Sequence, residues 1–224
     1  MLIKTSRFHP EKVKCRTFGH DFLGGLTLRM LTKQAYLAMC QGARVLESDG
    51  HGEKVVQLLD GSILKLFRRK RLLSSALLYP YARRFARNAR TLSAIGVPVP
   101  QILEVLRIPE IARDAVHYVP LAGESLRYLA QQPIPEERKS RLRFALSQLI
   151  VHLHHQGIYF RSLHLGNVIV GADDRLGLID FSDMRIYPWA LGEYLRRRNL
   201  QRMLNEPGEA EWIDMPTILG GKCR

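Results

Sequence analysis

The segment from Gly157 to Asp183, GIYFRSLHLGNVIVGADDRLGLIDFSD, constrains this chain more than any other. Gly157 closes an amphipathic stretch, a polar loop follows, and two short apolar runs flank an Asp173-Asp174 turn. Asn167 stands five residues after Ser162, and Asp180 stands thirteen after Asn167, at the end of the second apolar run. An amide oxygen and a carboxylate are hard donors of the kind Mg²⁺ accepts while keeping its waters. Asn167 and Asp180 are therefore candidate metal ligands. The plainer alternative for Asp180 is a turn-capping residue at a strand end. Asp183 follows on the same turn and reads first as a structural partner of Arg185, second as a further ligand.

The residues around this segment predict an α+β chain. Thr27 to Gln41 has helical spacing (Leu28, Leu31, Ala35, Ala38, Met39) and ends at Gly42. Ala43–Ser48, Lys54–Leu59 and Ser62–Phe67 read as three strands joined by the turns Asp49-Gly50-His51-Gly52 and Asp60-Gly61. A helical region runs from about Leu72 to Ile95, with an early break near Tyr79-Pro80, and stops at Val97-Pro98-Val99-Pro100. Gln101–Ile108 and Asp114–Val119 complete five strands. A helix starts at Glu124-Ser125-Leu126, an amphipathic one covers Ser140–Gln156, and a basic one covers about Ala190–Leu204. The expected divisions are an arm and helix over 1–42, a sheet-rich part over 43–120 and a mostly helical part over 121–224.

Lys65 lies centrally in the third strand, one hairpin after the glycine turn, where a phosphate-contacting lysine would be placed. Gly50 and Gly52 could let backbone amides approach phosphates, although an ordinary hairpin explains them equally well. The net charge of +13 favours anionic partners such as phosphorylated metabolites or an acidic membrane surface. No RNP, KH or zinc-finger motif accompanies the charge, so nucleic acid ranks below these. Cys15, Cys40 and Cys223 are scattered and odd in number, which argues against a disulfide framework. The N-terminal residues lack the apolar core of a secretory signal, and no run of about 18 apolar residues exists to span a bilayer. The expected location is cytoplasmic, with peripheral contact at an inner membrane face.

Together with Lys65 and Ala94-Ile95-Gly96-Val97-Pro98-Val99-Pro100, the Gly157–Asp183 segment resembles the bacterial lipopolysaccharide-core sugar kinases. These are the Kdo and heptose kinases, related to eukaryotic-type protein kinases, and the short relatives labelled toluene tolerance proteins look most similar. The spacing matches the kinase pattern H-R-D-L-x-x-x-N followed by D-F-G. The resemblance covers about residues 43 to 205. It implies a bilobal protein-kinase-like fold, with a small antiparallel-sheet N-lobe and a reduced, mainly helical C-lobe. It also implies ATP and Mg²⁺ as cofactors and a hydroxyl on the lipid-linked core oligosaccharide as acceptor. Lys65 would hold phosphates, Asn167 and Asp180 would hold Mg²⁺, and Val116-His117-Tyr118-Val119 would supply the backbone that meets adenine.

Two departures divide the functions. The catalytic aspartate of the family falls on Ser162, whose hydroxyl is not basic near neutral pH. Arg161, Ser162 and His164 occupy that loop, and His164 is the substitute base, unless it packs against the loop and bonds backbone. The helix that should offer a Glu to Lys65 has none: no Asp or Glu occurs from Gly61 through Leu103. Asn88 is the residue there that could hold Lys65 weakly. The expected function is thus ATP-dependent phosphate transfer to a core sugar. The alternative is a catalytically impaired pseudokinase that binds nucleotide or core glycolipid as an envelope-assembly factor. His152, His154 and His155 raise the question of zinc, but packing is the preferred reading because no Cys or acidic partner stands near.

Overall fold

The computed structural model describes residues 28–69 and 80–220. The N-terminal arm, Lys70-Arg71, the first part of the helix expected from Leu72, and Cys15 and Cys223 lie outside the described residues. The described chain mixes a multistranded sheet with several helices. Its order is β1 (Leu28–Met30), α1 (Lys33–Met39), β2 (Arg44–Asp49), β3 (Gly52–Gln57), β4 (Ile63–Arg68), α2 (Tyr81–Ala94), β5 (Gln101–Ile108) and β6 (Arg113–Val119). Then follow β7 (Glu124–Ser125), α3 (Leu126–Ala130), α4 (Glu136–His155), β8 (Ile158–Tyr159), β9 (Val168–Val170) and β10 (Leu176–Leu178). The last elements are β11 (Arg185–Ile186), α5 (Glu193–Asn205) and α6 (Met215–Gly220).

β1 to β6 form one sheet in the order β1-β5-β6-β4-β3-β2. All its pairs are antiparallel except β1 with β5. This corrects the helix expected over Thr27–Gln41. Leu28–Met30 adds to the edge of β5, and the helix begins only after Thr32, whose hydroxyl accepts the Ala35 amide at 3.1 Å. Three residues of helical spacing are too few to resist a free strand edge, because strand pairing satisfies their backbone groups directly.

Alternation along the strands sorts the two sheet faces. Leu64, Leu66, Leu106 and Ala115 pack with Leu31 and Tyr36, beneath α1. Val105 and Val116 face the other way into a larger cluster with Phe85 of α2, Leu146 and Ile150 of α4, and Phe160. Lys65 pairs with Val116 in register, so it shares this second face. α2 presents Ala82, Phe85, Ala86, Ala89 and Leu92 to that face, and its small alanines let it lie close to the sheet. β9 and β10 form a hairpin, joined by β7 rather than by the six-stranded sheet. No helix among the described residues is long and apolar enough to cross a membrane.

The histidines of α4 diverge instead of converging. His152 Nε2 bonds the Ile95 carbonyl at 3.0 Å, while the fully buried His154 uses Nε2 toward Asn199 Oδ1 at 3.1 Å. Among the described residues no group of three or more His, Cys, Asp or Glu could hold a metal ion. Asn199 Nδ2 donates to the Phe160 carbonyl, so His154 anchors the start of the Gly157–Asp183 segment. With Nε2–H donating, the buried Nδ1 has no partner and cannot gain a proton without stranding a new donor. Burial accordingly holds the His154 pKa down at about 4, from 6.5. The unfolded chain takes up this proton near 6.5 and the folded chain only near 4, so stability is complete above pH 6.5 and falls as pH drops toward 4. Between about pH 7.5 and pH 5 this single group should cost about 2 kcal/mol. Urea unfolding at both pH values should show that loss in the native chain and a flatter dependence in His154→Gln. Equal slopes would remove His154 from the explanation.

Candidate functional site

The β9–β10 hairpin sets the site. Leu178 is opposite Val168, and the Ile179 amide donates to the Asn167 carbonyl at 3.0 Å. The antiparallel register therefore brings residue 180 beside residue 167, although thirteen positions separate them in the chain. Asp180 is in the left-handed region at φ 53°, a conformation that Asp tolerates better than most non-glycine residues. It turns its carboxylate back across the cluster, where Oδ1 accepts from Lys65 Nζ at 2.7 Å. Sheet lysine and hairpin carboxylate thus meet across 115 residues of sequence.

Aromatic rings wall this pair on the α2 side. Phe85 stacks on Phe181 at 4.6 Å and on Tyr118 at 5.6 Å, and Lys65 Nζ lies 5.9 Å from the Phe85 ring centroid. Burial, with the Asp180 charge second, pushes the Tyr118 phenol well above its usual range, so it stays protonated. Asn88 does not hold Lys65. Its Nδ2 donates to the Phe181 carbonyl at 2.8 Å, and its buried Oδ1 makes no hydrogen bond. The polar side chain that α2 brings to this turn is therefore a neutral amide serving the residue after Asp180.

The loop before β9 is internally braced. Asn167 is buried, and its Nδ2 donates to the Ser162 carbonyl at 2.9 Å, which leaves its amide oxygen as the acceptor. Ser162 Oγ donates to Asp183 Oδ1 at 2.7 Å. Asp183 therefore serves Ser162, and the expected partner Arg185 is an exposed residue of β11. Arg161 is exposed beside the fully buried Phe160.

His164 faces away from proton acceptance. Its Nδ1 accepts the Gly166 amide at 3.0 Å, which puts the ring proton of the neutral form on Nε2 and leaves no free basic nitrogen. Burial, followed by Arg202 and Arg127, holds its pKa below the ordinary histidine value. The backbone-bonding role is the one the geometry favours.

Three other sequence expectations sit less directly at the site. The Gly50–Gly52 turn folds onto itself: the His51 amide donates to Asp49 Oδ1 at 2.8 Å, and Arg113 donates to the His51 carbonyl. A side chain at Gly50 would meet open space, while Gly52 needs its φ of +107°. The His117 side chain points to the α1 side, held by Ser62 Oγ at 2.8 Å and Glu104 Oε1 at 3.2 Å. The backbone of Val116 to Tyr118 is paired with β4 and β5 on both sides, so its hydrogen-bonding groups are engaged in the sheet. Val119 lies beyond the last β4 pairing. Tyr118 joins the site through its ring instead.

A cleft of about 310 Å³ opens over Lys65 and Asp180, reaching across β4 and β3 to the β2–β3 turn. Lys54, Arg68 and Arg113 line it with both signs of charge present, since Lys54 pairs with Glu47 at 3.0 Å. Asp180 is the candidate metal ligand that lines this cleft, and the buried Asn167 lies behind it, so a divalent ion would need both oxygens and phosphates to complete its shell.

One residue of this neighbourhood escaped the sequence reading. Glu209 is 2% exposed and accepts from Arg127 Nε at 2.9 Å, Arg127 Nη2 at 2.6 Å and the Leu165 amide at 3.1 Å. It straps the C-terminal region to the loop that carries Asn167. In sequence it sits in Asn205-Glu206-Pro207-Gly208-Glu209, which reads as a solvated turn. A comparison with protein-family models finds no match, and a search of curated proteins finds none.

Proposed function

We propose that this chain is a protein-kinase-like phosphotransferase that moves the γ-phosphate of ATP to a sugar hydroxyl of the lipopolysaccharide core. The Lys65–Asp180 bond carries this reading, because it joins a central strand lysine to a carboxylate beside Asn167 at the mouth of a charged cleft. Phosphoryl transfer asks a protein mainly for position and charge, and these three residue types provide both. Mg²⁺, when bound by Asn167 and Asp180 with the phosphates, would neutralise charge on the transferred group. Lys65 would shift from Asp180 toward phosphate oxygens, and Tyr118 and Phe85 would keep water from that side of the site. The six-stranded sheet would then be an N-lobe and the mainly helical remainder a C-lobe, with ATP between them.

The membrane-facing part of the proposal rests on the exposed Trp189, Tyr194 and Arg198, with Arg197 held by Glu193, near the start of α5, a composition suited to an anionic interface. The rival is a nucleotide-binding or glycolipid-binding assembly factor without transfer. The neutral Asn88 and the Ser162 hydroxyl favour that rival, since a lysine–glutamate pair and a loop carboxylate are both missing from the sequence.

Isothermal calorimetry with Mg-ATP, followed by transfer of labelled phosphate to lipopolysaccharide-core glycolipid, separates the two. Transfer that needs Mg²⁺ supports the enzyme. Tight Mg-ATP binding without transfer supports the assembly factor, and indifference to Mg-ATP defeats the nucleotide reading.

A further inference from the structure

The loop position that lacks a carboxylate is supplied with one from elsewhere. Ser162 Oγ donates to Asp183 Oδ1 at 2.7 Å, and both side chains are partly open to solvent. Each partner is held independently. The Ser162 carbonyl takes the Asn167 Nδ2 bond, so the serine is tied to a proposed metal ligand. Asp183 sits in a turn closed by the Met184 amide on the Phe181 carbonyl at 3.2 Å, and Asn88 grips the same carbonyl. The pair is therefore braced from the loop on one side and from α2 on the other, which a chance surface contact between two mobile side chains would not be.

Building on the phosphotransferase reading above, we propose that Ser162 and Asp183 together form the proton-accepting group of this site, with Ser162 touching the acceptor hydroxyl and Asp183 acting through it. In the step, the acceptor oxygen forms its bond to the γ-phosphorus as the bond from that phosphorus to the bridging oxygen breaks. The nucleoside diphosphate departs with that electron pair. The acceptor proton passes to Ser162 Oγ, whose own proton moves to Asp183 Oδ1. Ser162 ends unchanged, Asp183 ends protonated, and that proton is returned to water before the next turnover. A hydroxyl alone cannot retain the proton, but a hydroxyl hydrogen-bonded to a carboxylate can hand it on. The carboxylate at residue 183 thus replaces the one absent at residue 162, from the opposite side of the same bond.

Asp183→Asn is the informative variant, because an amide oxygen still accepts from Ser162 Oγ but does not take up a proton. If Asp183 only braced the loop, this change would be tolerated and Asp183→Ala would not. The expected result is a fall in kcat of about 10²–10⁴-fold in both variants. Mg-ATP affinity by calorimetry should stay within about twofold. The exchange variant Ser162→Asp with Asp183→Asn returns the carboxylate to the loop and should recover at least about tenfold over Asp183→Asn. Ser162→Asp alone, which sets two carboxylates side by side, should be slower than the exchange variant because they cannot both ionise freely. Wild-type kcat in Asp183→Asn, or an exchange variant no faster than it, overturns the pair while leaving the phosphotransferase reading intact. A native chain that binds no Mg-ATP in the same calorimetry overturns that reading and the pair with it.

Discussion

Asp180→Ala is expected to lower the proposed ATP-dependent phosphate transfer by about 10³-fold or more, among the largest functional effects of any single change in this chain. Among the described residues, Asp180 is the carboxylate bonded to Lys65, at 2.7 Å, and it stands where the hairpin brings it beside Asn167. Its removal takes away a proposed metal ligand and releases the lysine together. Folding should suffer far less. The Asp180 side chain is 45% exposed against 17% for Lys65, and a pair so open to solvent contributes about 1 kcal/mol or less. Alanine also strains the left-handed backbone at φ 53°, whereas Asn accepts it. Asp180→Asn is thus the cleaner probe: it keeps the backbone and removes the charge. Transfer kinetics and thermal unfolding of both variants check this. An Asn variant with native kcat would show that the carboxylate charge is not used.

Glu209→Ala should produce a large loss of stability, about 3 kcal/mol, or near 10 °C in Tm for a chain of this size. The carboxylate is almost wholly buried and answers three donors, two from Arg127 and one from the Leu165 backbone. Truncation strands the Leu165 amide in the interior and leaves Arg127, itself 39% exposed at the side chain, to turn toward water. The damage should be local before it is global. Amide exchange at Leu165 to Asn167 should quicken more than in the six-stranded sheet, and Glu209→Gln should fall between native and alanine because one acceptor oxygen remains. A Tm within about 2 °C of native in Glu209→Ala would mean that the strap is dispensable.

Much of the fold was legible because its signals are local. β5 was placed at Gln101–Ile108 from its run of apolar residues after a Pro-rich stop, and the glycine and aspartate turns located β2, β3 and β4 to within two residues or so. The absence of any acid in α2 was also readable, and Asn88, the residue there weighed for Lys65, donates to the Phe181 carbonyl instead. What failed were residues whose contacts residue type and spacing do not specify. Leu28–Met30 follows the edge of β5, some 75 residues on, rather than its own helical spacing. The His117 ring, which residue type alone could not orient, turns to the α1 side, where Ser62 and Glu104 hold it. His164 was a plausible base by type alone, but the Gly166 amide occupies the nitrogen that would accept.

Spacing and residue type determined that Ser162, Asn167 and Asp180 share one loop-and-hairpin segment and that Asp180 ends its second apolar run. Those are facts of short-range pattern, in which turns and strand lengths fix the distance between residues close in the chain. Only the tertiary structure decided which side chains answer one another: Asp180 to Lys65, Asp183 to Ser162, Glu209 to Arg127 and Leu165. Such partners come from different elements, and their pairing depends on hydrogen-bond geometry and burial, which arise when the sheet, α2 and the β9–β10 hairpin pack together.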